Sequence, residues 1–205
     1  MSSIKKDNCK ILDVGCGNAS SIFLKTVKPN STAYGIDVVD FKQSNESKGL
    51  YEQYIISEPE NFSRSIKNIQ EDFDVIISNH NIEHCIDPES TFRAMVDRTA
   101  LGGHLFIATL SLASANFPSR GGNLNFYDDP THQQNPVDLM ELFRSESHRL
   151  ECDFYSESSK PIIWYLIGAV QELVSRKKDW ILLGPGVTMD LSKSCGSKRL
   201  GPNFF

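Results

Sequence analysis

Two glycines separated by a single residue follow a short apolar run near the start of the chain, in KILDVGCGNAS at residues 10–20. Such a run is typical of a buried strand, and glycines after it are typical of a turn where a ligand approaches the backbone closely. Gly15, Cys16 and Gly17 would form the turn, with the carboxylate of Asp13 just before it. A second acid, Asp37, follows Gly17 by twenty residues, the spacing of a ligand for ribose hydroxyls in nucleotide-binding folds. These residues predict a cofactor site at the turn.

Runs rich in Ile, Val, Leu and Phe predict the strands that position this turn, at residues 10–14, 33–39, 73–78 and 104–110. They are apolar on both faces, as parallel strands covered by helices on both sides must be. Between the last two, DPESTFRAMVDRTALGG predicts a helix that Asp87 caps, Pro88 begins and Gly102 ends. A second helix is predicted in NPVDLMELF, capped by Asn135, and a further strand at residues 150–155. Alternating strands and helices predict an α/β fold with a doubly wound sheet.

The bulk composition predicts one reduced, globular domain. The length of 205 residues suits a single domain over residues 1–205. The formal net charge of -5, without a long basic cluster, argues against a nucleic-acid partner. Five cysteines form no C-x-x-C pair, as expected of reduced thiols in a cytoplasmic protein. The longest apolar run, residues 162–170, is about half of what a bilayer requires, so we expect no membrane span.

A dinucleotide is the first class of cofactor to compare with the glycine turn. Dinucleotides bind at G-x-G-x-x-G/A, where the small sixth residue lets helix and strand pack closely, and here Ser20 holds that position. The acid Asp13 inside the turn also departs from the usual dinucleotide site. In either case the ligand of a doubly wound sheet binds beyond the carboxyl ends of the strands, and we expect the amides of the exit loop to point at it. An NAD(P)-dependent oxidoreductase stays as an alternative.

The segments ILDVGCGNAS and YGIDVV resemble motif I and the second strand of the class I S-adenosylmethionine-dependent methyltransferases, in particular the type 11/23 group. The later segment FDVIISNHNIEHCIDPESTFRAMVDRTALGGHLFIAT resembles the family's fourth strand, the following helix and the fifth strand. The resemblance covers residues 10–110, with both halves in the family's order and spacing. It implies a Rossmann-like mixed sheet of about seven strands, mostly parallel, with helices on both faces. It also implies S-adenosylmethionine as the cofactor.

S-adenosylmethionine carries an amino group, a ribose diol and a positively charged sulfur, so its site needs acids and bare backbone. The resemblance implies that Asp13 orients the methionyl amine, directly or through water, and that Asp37 accepts the ribose hydroxyls. The resemblance also implies close backbone contacts from the turn of Gly15, Cys16 and Gly17 and from Asn79 at the end of the fourth strand. Val38 would flank the adenine. For the adenine amine the chain offers Ser57 or Glu58 where the family often has an acidic or polar residue.

Methyl transfer is an in-line displacement at an already activated methyl group, so the enzyme mainly positions the nucleophile and excludes water. A neutral hydroxyl must also lose its proton, and a positioned base contributes on the order of 10² to 10⁴ in rate. We predict that His132 is this base, because it lies in the long polar loop of residues 111–134, beyond the fifth strand. Asp128 or Asp129 would hold its ring. This D-x-x-H loop is similar, more loosely, to those of methyltransferases that tailor bacterial surface glycans.

Several further residues are candidates for the acceptor pocket, namely His80, Asn81, Arg120, Tyr127 and Asp129. Glu83 and His84 resemble the family's "EH" pair, to which we assign a role in shaping the loop. As an alternative, Asp128, Asp129 and His132 could hold a divalent metal ion. We predict that the site uses no metal.

The sequence thus predicts an O-methyltransferase acting on a small polar acceptor, such as a sugar or phosphate-bearing precursor of a surface polysaccharide. The loop of residues 111–134 and a helix at residues 161–176 would form the substrate lid. We expect a homodimer that forms through the apolar start of that helix. Besides the oxidoreductase, the alternative is a protein that binds the cofactor without catalysis.

Overall fold

The computed structural model describes residues 6–40, 42–116, 125–132, 134–157 and 186–193. They form one seven-stranded sheet with the strand order β3-β2-β1-β4-β5-β7-β6. The strands are β1 (Lys10–Val14), β2 (Thr32–Asp37), β3 (Gln53–Ile56), β4 (Phe73–Asn79), β5 (Thr99–Leu110), β6 (Leu150–Glu157) and β7 (Gly186–Lys193). The first five are parallel to one another, whereas β7 is antiparallel to both of its neighbours. The predicted doubly wound, mostly parallel sheet is confirmed.

The centre of the sheet is buried on both faces because helices cover both sides. Ile11 and Leu12 are adjacent on β1, point to opposite faces and are both fully buried. Leu12 belongs to the larger core cluster, which includes Phe92 from the helix Pro88–Arg98. Ile11 belongs to a smaller cluster, which includes Leu24 from the helix Ser20–Val27. The helices are α1 (Ser20–Val27), α2 (Asn45–Gly49), α3 (Phe62–Asn68), α4 (Pro88–Arg98) and α5 (Leu139–Ser145).

Helix α4 begins as the sequence predicts and ends earlier. The Asp87 carboxylate accepts a hydrogen bond from the Ser90 amide at 2.8 Å, and Pro88 occupies the first turn. The helix ends at Arg98, and the chain continues at once as β5 instead of remaining helical to Gly102. Gly102, with a φ of 74°, lies within β5, where the pairing with β4 shifts register. The glycine therefore marks an irregularity in a strand and not the end of the helix.

The start of α5 corrects a second expectation. Asp138, not Asn135, caps this helix, and its carboxylate accepts hydrogen bonds from the amides of Met140 and Glu141. Asp138 directly precedes the apolar face of the helix, so its side chain reaches the unpaired amides of the first turn. The face itself is buried as predicted, through Leu139, Leu142 and Phe143.

The β6–β7 pair completes the sheet with a strand that the sequence did not indicate. β7 includes the start of the polar stretch near the end of the chain and lies between β5 and β6. Because β6 runs parallel to β5, the end of β6 and the start of β7 lie at the same edge as the carboxyl ends of β1 and β4. The helix predicted at residues 161–176 lies outside the described residues. Within the described part of the chain, no helix has the length and apolar character needed to cross a membrane.

Candidate active site

A cleft of about 520 Å³ opens at the carboxyl ends of β1, β4 and β5. The turn from Gly15 to Gly17 forms one side, and Asn79 at the end of β4 lies on another. Phe23 of α1 and Phe106 of β5 provide apolar walls. Pockets of roughly 300–1,000 Å³ are typical of small-molecule and cofactor sites.

The turn after β1 requires glycine at its first position. Gly15 has a φ of 72° and Gly17 a φ of 48°, conformations that residues with a side chain rarely adopt. A Cβ at Gly15 would lie 2.3 Å from the Asn81 Cγ, whereas a Cβ at Gly17 would meet nothing closer than 4.0 Å. Asn81, predicted to face the acceptor, therefore packs directly on the glycine turn and joins the loops after β1 and β4.

The amides of the turn are directed to β2. The amides of Gly15 and Cys16 donate to the carbonyl of Ile36, and the Gly17 amide donates to the Asp37 carboxylate at 2.7 Å. The expectation that these amides point at the ligand is wrong, since all three serve to fasten the turn to the end of β2. The turn therefore offers a ligand its bare Cα positions and carbonyl groups.

Asp37 lies at the end of β2 and is only partly buried. Its carboxylate accepts the Gly17 amide on one oxygen and the Val38 amide, also at 2.7 Å, on the other. A longer hydrogen bond comes from the Val39 amide at 3.5 Å. A carboxylate has about four acceptor positions, so these bonds fix its orientation and still leave acceptor capacity for a ligand. Val38 follows with an exposed apolar side chain.

Asp13 is an almost completely buried acid at the base of the cleft, with 3% of its surface exposed. Burial raises the pKa of its carboxyl to about 6, and the nearby Asp37 charge acts in the same direction. Hydrogen bonds from Ser20 and from the Tyr51 hydroxyl, at 2.9 Å, oppose the shift only in part. The site therefore holds an acid whose ionised form lacks a cationic partner among the described residues.

Two neighbouring candidates have simpler roles in this structure. Burial raises the pKa of the Cys16 thiol to about 12, so the thiol stays protonated and Cys16 acts as a small apolar residue. The hydroxyl of Ser57 is buried and lies 2.7 Å from that of Ser65, so it is engaged inside the protein. Glu58, the other candidate for the adenine amine, is exposed.

A hydrogen-bonded pair of an exposed histidine and a buried glutamate follows β4. His80 has the left-handed φ of 50°, and its Nδ1 lies 3.1 Å from Oε1 of Glu83, which is 1% exposed. The pKa of Glu83 is lowered, because hydrogen bonds from His80 and the backbone outweigh the effect of burial. The same hydrogen bond raises the pKa of His80. The loop-shaping role predicted for Glu83 does not include this contact, although the spacing of three residues between His80 and Glu83 on a tight turn is a signal for it.

His132 lies beside His84 in a second group of polar residues. Its Nδ1–H donates to the carbonyl of Phe126, its ring stacks on that of Phe126, and its centroid is 4.8 Å from that of His84. Asp128 instead caps the turn at Asn125, and Asp129 accepts from Thr131. A backbone carbonyl thus holds the ring in place of the predicted acids.

The remaining acceptor candidates are less constrained. Tyr127 is 61% exposed, and its hydroxyl donates to Oδ1 of Asn135 at 3.3 Å. Asn79 is exposed at the mouth of the cleft. Arg120 lies outside the described residues.

The family model described as "Methyltransferase domain" matches residues 1–158. The chain belongs to this family. It is a class I methyltransferase, and its cofactor is S-adenosylmethionine. This identification excludes the NAD(P)-dependent oxidoreductase, and the glycine turn with two nearby acids is consistent with the cofactor's amine and diol. A search of curated proteins finds no significant match.

Solved structures share the fold of this methyltransferase at low identity. The N-methyltransferase NodS from Bradyrhizobium japonicum WM9, in complex with S-adenosyl-L-homocysteine, is 13% identical, with a TM-score of 0.58 over 91% of this chain and 79% of that one. The plantazolicin methyltransferase BpumL, in complex with the same compound and a triazolic desmethylPZN analog, is 18% identical, with a TM-score of 0.59 over 95% and 80%. A SAM-dependent methyltransferase from Archaeoglobus fulgidus is 18% identical, with a TM-score of 0.53 over 91% and 86%.

Gly15→Ala should destabilise the protein far more than Gly17→Ala. Both changes place a side chain at a positive φ, which costs about 1–2 kcal/mol, but only the first drives a Cβ into Asn81. We expect a total loss of about 3 kcal/mol for Gly15→Ala in urea unfolding. The double change Gly15→Ala with Asn81→Gly should recover part of it. Equal losses for the two single variants would contradict the contact.

Asp13 should make the free energy of unfolding fall as pH rises from about 4 to 7. Its pKa is about 6 in the folded protein and has the ordinary value of 3.8 in the unfolded chain, so folding retains a proton in this window. The stabilisation is complete below the unfolded pKa and is lost as pH passes the folded one, by about 3 kcal/mol for two units. Asp13→Asn lacks this effect. The difference between wild type and variant in urea unfolding should therefore change with pH, and a constant difference would refute the assignment.

Proposed function

We propose that this methyltransferase transfers the methyl group of S-adenosylmethionine to an oxygen of a small polar acceptor, a sugar or phosphate-bearing precursor of a surface polysaccharide. The observation that carries the choice of oxygen is the fixed tautomer of His132. Its Nδ1–H is used by the Phe126 carbonyl, so Nε2 holds a lone pair that can take a proton. A neutral hydroxyl needs such a base, and the D-x-x-H loop in which it lies supports a glycan-type acceptor.

In this proposal the cofactor occupies the cleft at the ends of β1, β4 and β5. Its ammonium group pairs with the carboxylate of Asp13 and so supplies the cation that this buried acid lacks. Its ribose hydroxyls donate to Asp37, and its adenine packs on Val38. The close backbone is supplied by the glycine turn and by Asn79, both of which line the cleft. The cofactor contributes a methyl group on positively charged sulfur, and the chain contributes orientation.

The acceptor would enter from the side of the loop that follows β4. His132 removes its hydroxyl proton at Nε2, while the ring is held against Phe126. The remaining acceptor contacts are proposed for the polar residues around this position: His80, Asn81, Tyr127 and Asp129, with Arg120 beyond the described residues. The His80 ring is oriented by the buried Glu83, which favours a defined hydrogen bond to the acceptor.

The proposal includes a single methyltransferase domain over residues 1–205 and a substrate lid formed by the loop of residues 111–134 and the helix predicted at residues 161–176. β6 ends and β7 begins at the edge of the sheet that carries the cleft, which supports a lid at this edge. The segments Leu112–Asn116 and Phe126–Asp128 of the long loop follow β5 at this edge. A homodimer and a cytoplasmic location stay predictions.

The direct test is release of S-adenosylhomocysteine in the presence of a panel of sugars, sugar phosphates, phosphate monoesters and amines. Mass spectrometry of the product then identifies the methylated atom. Methylation of a hydroxyl supports the proposal. Methylation of amines alone contradicts it, and a chain that binds the cofactor yet methylates nothing in the panel would favour a non-catalytic role.

Asp37→Ala should weaken the binding of S-adenosylmethionine by at least about tenfold, or 1.4 kcal/mol, because it removes a charged acceptor of two hydroxyls. It also frees the Gly17 amide from its bond to β2. Isothermal titration calorimetry measures the change. Asp40→Ala is the matched control, since Asp40 is an exposed acid three residues further along. An affinity equal to that of wild type would refute the placement of the ribose.

His132→Ala should lower turnover by about 10² and leave the affinity for the cofactor nearly unchanged, since the ring acts on the acceptor only. Rates of S-adenosylhomocysteine release at saturating cofactor, together with calorimetry, separate the two effects. His148→Ala provides the control, because His148 is exposed after α5. Turnover at the wild-type level would exclude His132 as the base.

A further inference from the structure

Two histidines and one carboxylate from separate parts of the chain converge beside the loop that follows β4, the side from which the acceptor is proposed to enter. His84 ends the short helical turn Ile82–His84 after β4, and Asp129 and His132 come from the loop 45 and more residues later. One donor atom from each lies within 4.8 Å of the other two. All three residues are partly buried. The planes of the two histidine rings make an angle of 40°, and no hydrogen bond joins the rings.

Hydrogen bonds fix both histidines in the same tautomer. The Phe126 carbonyl only accepts, so the His132 Nδ1 must carry the proton. The Thr131 hydroxyl donates its single proton to Asp129, so it accepts from the Nδ1 of His84, 2.9 Å away. Both rings therefore present the Nε2 lone pair. Histidines that bind metals have this arrangement, with the second nitrogen donating to a carbonyl or another polar oxygen.

The donor set has the composition of a site for a transition-metal ion. Two imidazoles and one carboxylate suit Zn²⁺ and its neighbours, and three protein ligands leave a fourth position open. Bonds of about 2.0–2.2 Å require the donors to approach one another by about 1 Å or more, so binding of the ion requires small rotations of these partly buried side chains. Asp128, the other acid considered from the sequence, accepts the Asn125 amide at 3.2 Å in a capping box and is not a member of the group.

We propose that His84, Asp129 and His132 bind one divalent transition-metal ion of the Zn²⁺ class at the acceptor side of the active site. Its role rests on the proposed function: the ion binds the lone pair at the His132 Nε2 and holds the acceptor hydroxyl in the fourth position. The hydroxyl releases its proton to solvent at lower pH once it is bound to the ion. The oxygen lone pair then attacks the methyl group, and the sulfur leaves with the bonding electrons. His132 acts as a free base only when the ion is absent.

Binding is tested without reference to activity. The protein is treated with a chelator, dialysed and titrated with Co²⁺, whose visible absorption reports coordination, and with Zn²⁺ by calorimetry. Wild type should bind one equivalent. His84→Ala and Asp129→Asn should each weaken binding by at least tenfold, and His148→Ala should bind as wild type. Absence of saturable binding to wild type, or wild-type affinity in both His84→Ala and Asp129→Asn, overturns the proposal.

Two further measurements keep this proposal separate from the proposed function. Circular dichroism confirms that each variant is folded, and Asp129→Asn retains the shape of the side chain if His84→Ala does not fold. Methyl transfer is then compared in chelated and Zn²⁺-restored wild type with an acceptor from the panel. Stoichiometric binding without any transfer would defeat the proposed function but leave the metal site intact. Transfer at the same rate in both samples would defeat the role of the ion.

Discussion

The hydrogen bond from the Gly17 amide to the Asp37 carboxylate, 2.7 Å long, is the contact on which the site depends. It fastens the turn after β1 to the end of β2, and the contact between Gly15 and Asn81 fastens the same turn to the loop after β4. Because these three strands are parallel neighbours, their ends meet at one edge of the sheet. The protein thus fixes the orientation of the Asp37 carboxylate by itself. For the ribose contact proposed above, an acceptor that is already oriented lowers the entropy lost on binding.

Two almost fully buried acids show how partners decide the state of a carboxylate. Asp13 is surrounded by hydroxyl groups, and burial raises its pKa. Glu83 is buried to a similar degree, yet a hydrogen bond from His80 keeps its pKa below the ordinary range. The second acid has its cation within the protein, whereas the first is stabilised in its ionised form only when a cation is brought to it. A ligand with an ammonium group therefore complements the structure at the place where the charge balance is incomplete.

Local patterns in the sequence were sufficient for the elements that build the cofactor site. The apolar runs gave β1 and β4 nearly to the residue, and the Asp87-Pro88 start of α4 is as predicted, because these signals act within a few residues. The end of α4, the cap of α5 and the strand β7 were not found. β7 is polar in places, and its pairing with β5 and β6 depends on distant partners. The contact of His84 with His132 likewise joins residues 48 apart and leaves no local signal.

The antiparallel insertion of β7 between β5 and β6 has a consequence for biosynthesis. β6 forms its ladder with β7 and has no pairing with β5, although it precedes β7 in the chain. While the polypeptide emerges from the ribosome, the five parallel strands can pair as soon as each is available, but β6 must wait for residues 186–193. During that interval the open edges of β5 and β6 are both exposed to pairing with other chains. The sheet is therefore completed only after β7 has been synthesised, when its pairing covers the edge of β5 and one edge of β6.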